Sequence, residues 1–248
     1  VDNIVCVGDS HILAYESIKG LNVYQTGSPT AYNLSNSDSH SQGMSQIMSL
    51  LKSYDPKQTA IMCSYAEIDI RNHIYKNIVK NRIGVKEACY VVVERYFAAI
   101  KLLLDMGYKI LVNGPFGTGL GVPREGKEKE RNIIALCIDE MLQRKCEQGK
   151  IPYASLIDII VDSNFDSDAN YFGEVDDNHL NKCEELAFLV ITRLIASQTY
   201  HREKLRSTHN EIIIKPEVID HVSDIYGIAY TQKKKRIVEN SIVPFSIQ

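Results

Sequence analysis

The chain has 248 residues, 44% hydrophobic and 24% charged, with 28 basic and 31 acidic side chains and a formal net charge of −3. That composition belongs to a globular chain with a sizeable core and excludes a disordered, collagen-like or low-complexity one. The near-neutral charge leaves no global footprint for nucleic acid or an anionic membrane, and no apolar run approaches the roughly 20 residues that span a bilayer.

Asn3 to Val7 is a short, β-branched apolar run that stops at Gly8-Asp9-Ser10. Ile12, Leu13, Tyr15 and Ile18 then recur at helical spacing, predicting a strand, a tight turn and a helix over 11–18. Asn22 to Tyr24 reads as a second short strand, entering the loop Thr26-Gly27-Ser28-Pro29-Thr30. Met44, Ile47, Met48 and Leu51 mark one helical face, and Thr59 to Cys63 a buried strand. Val85 to Met106 is a long helix closed by Gly107, and Tyr108 to Val112 another strand. A Gly-rich loop, Gly114 to Gly121, precedes a helix over Glu125–Gln148 closed by Gly149. Ile151 to Ile160 holds a further short strand, and Lys182 to Ala196 a helix.

Strands alternating with helices at this spacing predict an α/β fold, with a mostly parallel sheet covered on both faces. Beyond Tyr200 the pattern changes. Glu211–Ile214, Asp224–Tyr230, Arg236–Val238 and Ile242–Ile247 look extended, so the expected division is a domain over 1–199 and a β-rich extension or linker over 200–248. The acidic excess lies wholly in the first part. Six scattered cysteines without a CxxC pair read as buried, reduced hydrophobes, which favours a cytoplasmic chain. No signal-peptide pattern is visible, although a start at Val1 is compatible with a removed signal or a larger parent protein.

Ser10 sits where a strand hands over to a helix, at the carboxyl edge of the predicted sheet, where α/β proteins bind ligands. A serine hydroxyl needs a base to become a nucleophile, while N–H groups opening a helix stabilise a developing oxyanion. Asp9 and Ser10 serve equally well as plain helix caps. Asp176-Asp177-Asn178-His179 lies just before the last helix, and one turn presents Asp176 and His179 on the same side. A base of the His type needs a carboxylate to hold its tautomer. The bland alternative there is a solvated acidic loop.

Taken together, Gly8-Asp9-Ser10 and Asp176-x-x-His179 resemble the first and last sequence blocks of the SGNH (GDSL-type) hydrolase superfamily, over roughly Asn3 to Ser197. The resemblance implies a three-layer, flavodoxin-like α/β/α domain with Ser10 as nucleophile, His179 as general base and Asp176 as its orienting acid. It implies oxyanion donors at Ser10 and Gly27, the best match to the second-block glycine. The third block is similar to a branch reading Gly-Glu-Ile-Asp-x-Arg, here Ala66-Glu67-Ile68-Asp69-Ile70-Arg71, after a first block that continues with His, here His11. Ile68 stands where the more usual block has an oxyanion-hole asparagine, leaving Arg71, Asn72 or a backbone amide to supply that donor.

Asp9, His11, Glu67, Asp69 and Arg71 are the candidate substrate-binding residues. For the charges at 67, 69 and 71 the alternative is an internal ion pair that fixes the loop. His11 competes as a base, but neighbouring helical residues point about 100° apart, which favours packing or substrate contact. His40 and His73 read as surface residues in polar loops. Gly117-Thr118-Gly119-Leu120-Gly121 lacks dinucleotide-fingerprint spacing and reads as a flexible rim loop, and Lys233-Lys234-Lys235-Arg236 as a solvated turn.

The expected function is a serine-dependent esterase, deacetylase or O-acyl(acetyl)transferase. Its substrate would be a carbohydrate or polysaccharide ester, processed through an acyl-Ser10 intermediate. No cofactor or metal is expected, apart from acetyl-CoA as the donor if the chain is a transferase. A degenerate carbohydrate-binding or scaffolding domain of a larger polysaccharide-biosynthesis protein is the alternative, with a nucleotide-binding Rossmann-type protein a distant third.

Overall fold

The structure, a computed structural model, describes residues 2–119, 126–172, 186–187, 189–194 and 197. Asp176, His179, Cys183 and the expected extension over 200–248 lie outside the described residues.

Among the described residues, five strands form one parallel sheet: β1 (Asn3–Gly8), β2 (Leu21–Gln25), β3 (Thr59–Ser64), β4 (Lys109–Asn113) and β5 (Tyr153–Ala154), in the order β2-β1-β3-β4-β5. The α-helices among the described residues are α1 (Gly43–Leu51), α2 (Tyr75–Asn81), α3 (Val85–Asp105), α4 (Glu128–Gly149) and the short α5 (Ile157–Ile160). Residues 186–187, 189–194 and 197 are also helical. Right-handed crossovers then put α1, α3 and α4 on one face, and the segment after β1 on the other.

This is why the strands read as continuous apolar runs. Every residue of β3 is buried, and Val5 to Val7 and Ile110 to Val112 are fully enclosed. A sheet covered on both faces has no solvent side for polar residues to alternate onto. Arg193 fastens the late helical residues to the β5 edge, with guanidinium contacts of 2.6 and 3.0 Å to Asp158 and a further bond to the Ser155 carbonyl.

Several elements differ from expectation. The segment after Ser10 is a 3₁₀ helix, Ser10–Tyr15, rather than an α-helix over 11–18. The chain must retrace a six-residue strand, ~20 Å, before Leu21 begins β2. Asp9 caps the 3₁₀ helix by accepting from the His11 backbone N–H at 3.0 Å.

The stretch after β3 is helical where the sequence suggested a loop: residues 67–68 are α-helical, Asp69–Ile74 is a π-helix, and α2 follows. At the far end of α4, Lys150 takes the left-handed conformation, with φ +55°, and Gly149 is the last helical residue.

Candidate active site

β1 is the branch point of the sheet. The chain leaves it sideways to β2, and β3 pairs on its other edge, so a crevice opens beyond the carboxyl ends of β1 and β3. Register aligns the strand ends there: Gly8 lies opposite both Gln25 and Ser64, and Ser64 opposite Asn113. Ser10, Gly27, Glu67 and Phe116 therefore leave the sheet along one edge, each two or three residues past its strand. Ser10 is half-buried, and Gly27 is exposed with φ +73°, a backbone conformation that favours glycine.

Gly8 is set by space. A Cβ on it would stand 2.5 Å from the Ser64 carbonyl oxygen and 2.9 Å from Ile12 Cβ. The glycine thus lets the serine turn fold tightly against β3. Thr26 secures the next loop: its N–H donates to the Gly8 carbonyl at 3.0 Å, and its hydroxyl lies 2.7 Å from the Tyr65 hydroxyl.

A buried charged network lies across the crevice. His11 Nδ1 is 3.2 Å from Asp9 Oδ1 and 3.9 Å from Glu67 Oε2, while Arg71 Nη2 is 3.2 Å from the same Glu67 oxygen. These two contacts of Nδ1 are with carboxylate oxygens, so the tautomer with a proton on Nδ1 donates to Asp9. The imidazole stacks on Phe116, with ring centres 5.7 Å apart and planes 22° from parallel. Asp9, His11 and Glu67 also bring their ligand-type atoms within 4.8 Å of one another. The Arg71 guanidinium already supplies positive charge at Glu67, so the trio works as an ion-paired network rather than a cation site.

Asp69 belongs to the scaffold. It is fully buried, and its two oxygens accept from the backbone N–H groups of Ala31 (2.6 Å) and Tyr32 (3.2 Å). Burial pushes its carboxyl up to about 7, with those donors pulling the other way and the nearby Asp9 adding to the rise. Of the two readings weighed for the third-block charges, Glu67, Asp69 and Arg71 all make internal contacts, and only Arg71 keeps partial exposure, 15% of its side chain. Ile68 is partly exposed beside them.

The backbone of this segment is strained. Ala66 has φ +105°, a region that side chains rarely adopt.

Two expectations need correction. The Gly-rich loop is no flexible rim over 114–119: those residues are buried, Thr118 N–H donates to Asn132 Oδ1 at 2.8 Å, and its carbonyl accepts from Ser167 Oγ at 2.6 Å. His73 is exposed, as expected, but on the π-helix rather than in a loop.

Sequence reasoning missed Asn113, which ends β4 and donates through Nδ2 to the Tyr15 hydroxyl at 2.8 Å and to Ser64 Oγ at 3.1 Å. It ties the serine segment to β3 and β4. A polar residue closing the apolar run Ile110-Leu111-Val112 was the available signal. Cys6, Cys63, Cys89 and Cys146 are buried free thiols and Cys137 is half-buried. No helix among the described residues is long and apolar enough to cross a membrane.

No family model matches this chain, and no curated protein does. Its fold does match solved structures. A proposed acylhydrolase from Bacteroides fragilis superposes with a TM-score of 0.54 at 14% identity, covering 79% of this chain and 88% of that one. A GDSL-like lipase from Bacteroides thetaiotaomicron superposes with a TM-score of 0.50 at 10% identity, covering 82% and 89%. The likeness is one of fold: a parallel sheet covered by helices on both sides, the α/β fold that these GDSL-like and acylhydrolase structures have.

Proposed function

We propose that this chain is a serine-dependent enzyme of acyl esters, with Ser10 as nucleophile. The observation that carries the reading is the placement of Ser10: partly exposed, on a glycine-tight turn, at the carboxyl end of the strand where the sheet branches. Ser10 Oγ attacks the acyl carbonyl while His179 takes its proton and Asp176 steadies the imidazole. The backbone N–H groups of Ser10 and Gly27 receive the oxyanion. Collapse expels the alcohol, protonated by His179, and leaves acyl-Ser10.

Water then releases an acid, or a sugar hydroxyl takes the acyl group. We favour an O-acetylated carbohydrate as substrate, and acetyl-CoA as donor if the acceptor is a sugar. Asp9 and His11 shape the nucleophile turn beside it.

Ser10→Ala should abolish turnover of a small aryl acetate, and a fluorophosphonate probe should label wild-type Ser10. Equal turnover in both proteins would end the reading. Ile68, at the position where the more usual third block has an oxyanion-hole asparagine, favours one alternative, a carbohydrate-binding domain without catalysis. Sugar binding by a chain whose Ser10 resists the probe would establish it.

A further inference from the structure

Two cysteines meet where α3 packs on α4. Cys89, in the second turn of α3, is fully buried, and its Sγ lies 3.9 Å from the Ile134 carbonyl oxygen of α4. Cys137 follows Ile134 by three residues, one turn along the same helix face. The two thiols hydrogen-bond one another, and both are free. Their surroundings differ. Cys137 sits on the rim of the helix pair, half-buried in line with the partly exposed Ile133 and Glu140, whereas Cys89 lies beneath it. The hydrogen bond from Cys89 lowers the Cys137 thiol, burial and Glu140 oppose this, and Lys86 assists. The same hydrogen bond, with burial, pushes the Cys89 thiol up. Cys6, Cys63 and Cys146 are enclosed, and burial pushes all three thiols up. Among the described residues, Cys137 is therefore the thiol that a small oxidant reaches most readily, with a second thiol already against it.

We propose that Cys137 and Cys89 form an oxidation site for small hydroperoxides, which closes into a disulfide between α3 and α4. The Cys137 thiolate attacks a peroxide oxygen, and an S–O bond forms as the O–O bond breaks. The departing hydroxide or alkoxide takes up the proton that Cys137 lost, so the hydroperoxide leaves as water or alcohol, reduced by two electrons. Cys89 sulfur then attacks the sulfur of the Cys137 sulfenic acid. The S–S bond forms, the S–O bond breaks, and hydroxide leaves with the Cys89 proton as water. Two thiols are oxidised for each hydroperoxide reduced. Residue order sets the roles: the rim cysteine meets the oxidant, and the buried one resolves the product. The chemistry uses no residue of the acyl-ester reading, so it stands or falls separately.

The test treats the folded full chain with a small excess of hydrogen peroxide, alkylates the remaining thiols after unfolding, and maps peptides by mass spectrometry without reductant. The peptides of Cys89 and Cys137 should be found joined, lighter by two hydrogens than their reduced sum, and should separate on adding dithiothreitol. Cys89→Ser should lose the cross-link and hold a sulfenic acid on Cys137 that dimedone traps. Cys137→Ser should lose the cross-link and leave Cys89 fully alkylated. Three results in the wild-type chain would each overturn the proposal: both cysteines still alkylated after peroxide, Cys137 joined to a different cysteine, or Cys137 trapped by dimedone as completely as in Cys89→Ser. The wild-type map decides even where a variant fails to fold.

Discussion

Glu67 Oε2 lies 3.9 Å from His11 Nδ1, across the gap between the turn that follows β1 and the helix that follows β3. One buried carboxylate thereby joins the two loops that bound the crevice. The same oxygen pairs with Arg71, so the network holds the serine turn, the imidazole and the guanidinium in fixed relation. Preorganisation of this kind lets donors meet a developing charge without rearranging.

Glu67→Gln keeps the shape of the side chain and removes its charge. It leaves the Arg71 guanidinium largely buried without a counter-charge, which should cost roughly 3 kcal/mol of stability. Urea unfolding should show a lower midpoint with an unchanged slope. An unchanged midpoint would mean that the pair contributes nothing to the fold.

Gly8→Ala places a methyl 2.5 Å from a backbone carbonyl oxygen of β3, which cannot give way as a flexible side chain would. The expected loss is about 1–3 kcal/mol. Because the displaced residues carry Ser10, esterase turnover at a temperature well below the melt should fall as well. Calorimetry and a rate assay on the same preparation check both halves.

Ala66→Gly works in the opposite direction. At φ +105° the alanine pays backbone strain of about 1–3 kcal/mol, partly offset in the glycine variant by its freer unfolded chain. A net gain of about 1 kcal/mol should raise the melting temperature by about 2–4 °C. A lowered melting temperature would show that this position carries no strain.

Asp69 gives a pH dependence with a definite sign. Its carboxyl is raised from 3.8 to about 7 on folding, so the folded chain binds the extra proton between those values. The stabilisation from that proton is fully present below pH 3.8 and is lost as the pH rises through 7. Asp69→Asn cannot ionise, and its amide leaves one of the two backbone N–H donors without an acceptor, so it should be less stable throughout. The wild-type advantage should shrink between pH 4 and 7, as read from urea midpoints at each pH. A constant difference would contradict the raised carboxyl.

Much of the fold was legible because its signals are local. The apolar runs at Asn3–Val7, Thr59–Cys63 and Tyr108–Val112 and the periodic face of Met44–Leu51 all reappear as strands and a helix within a residue or so. Gly8-Asp9-Ser10 announced its turn by composition alone. The helix over 67–81 was hidden, since Glu67, Asp69 and Arg71 break the apolar pattern that periodicity relies on. The 3₁₀ form of Ser10–Tyr15 was hidden too, because apolar positions at 12, 13, 15 and 18 suit either kind of helical turn.

The sequence by itself therefore determined the order of strands and helices and the serine at the first turn, since each depends on neighbours in the chain. Only the tertiary structure decided what the nearby charges do. Asp69 and Glu67 are two residues apart, yet one accepts from Ala31 and Tyr32 while the other joins Arg71 to the His11 turn. That division depends on which loops the sheet brings against each carboxylate, and on burial that makes an unmatched charge too costly to keep. Spacing in the chain carries neither piece of information.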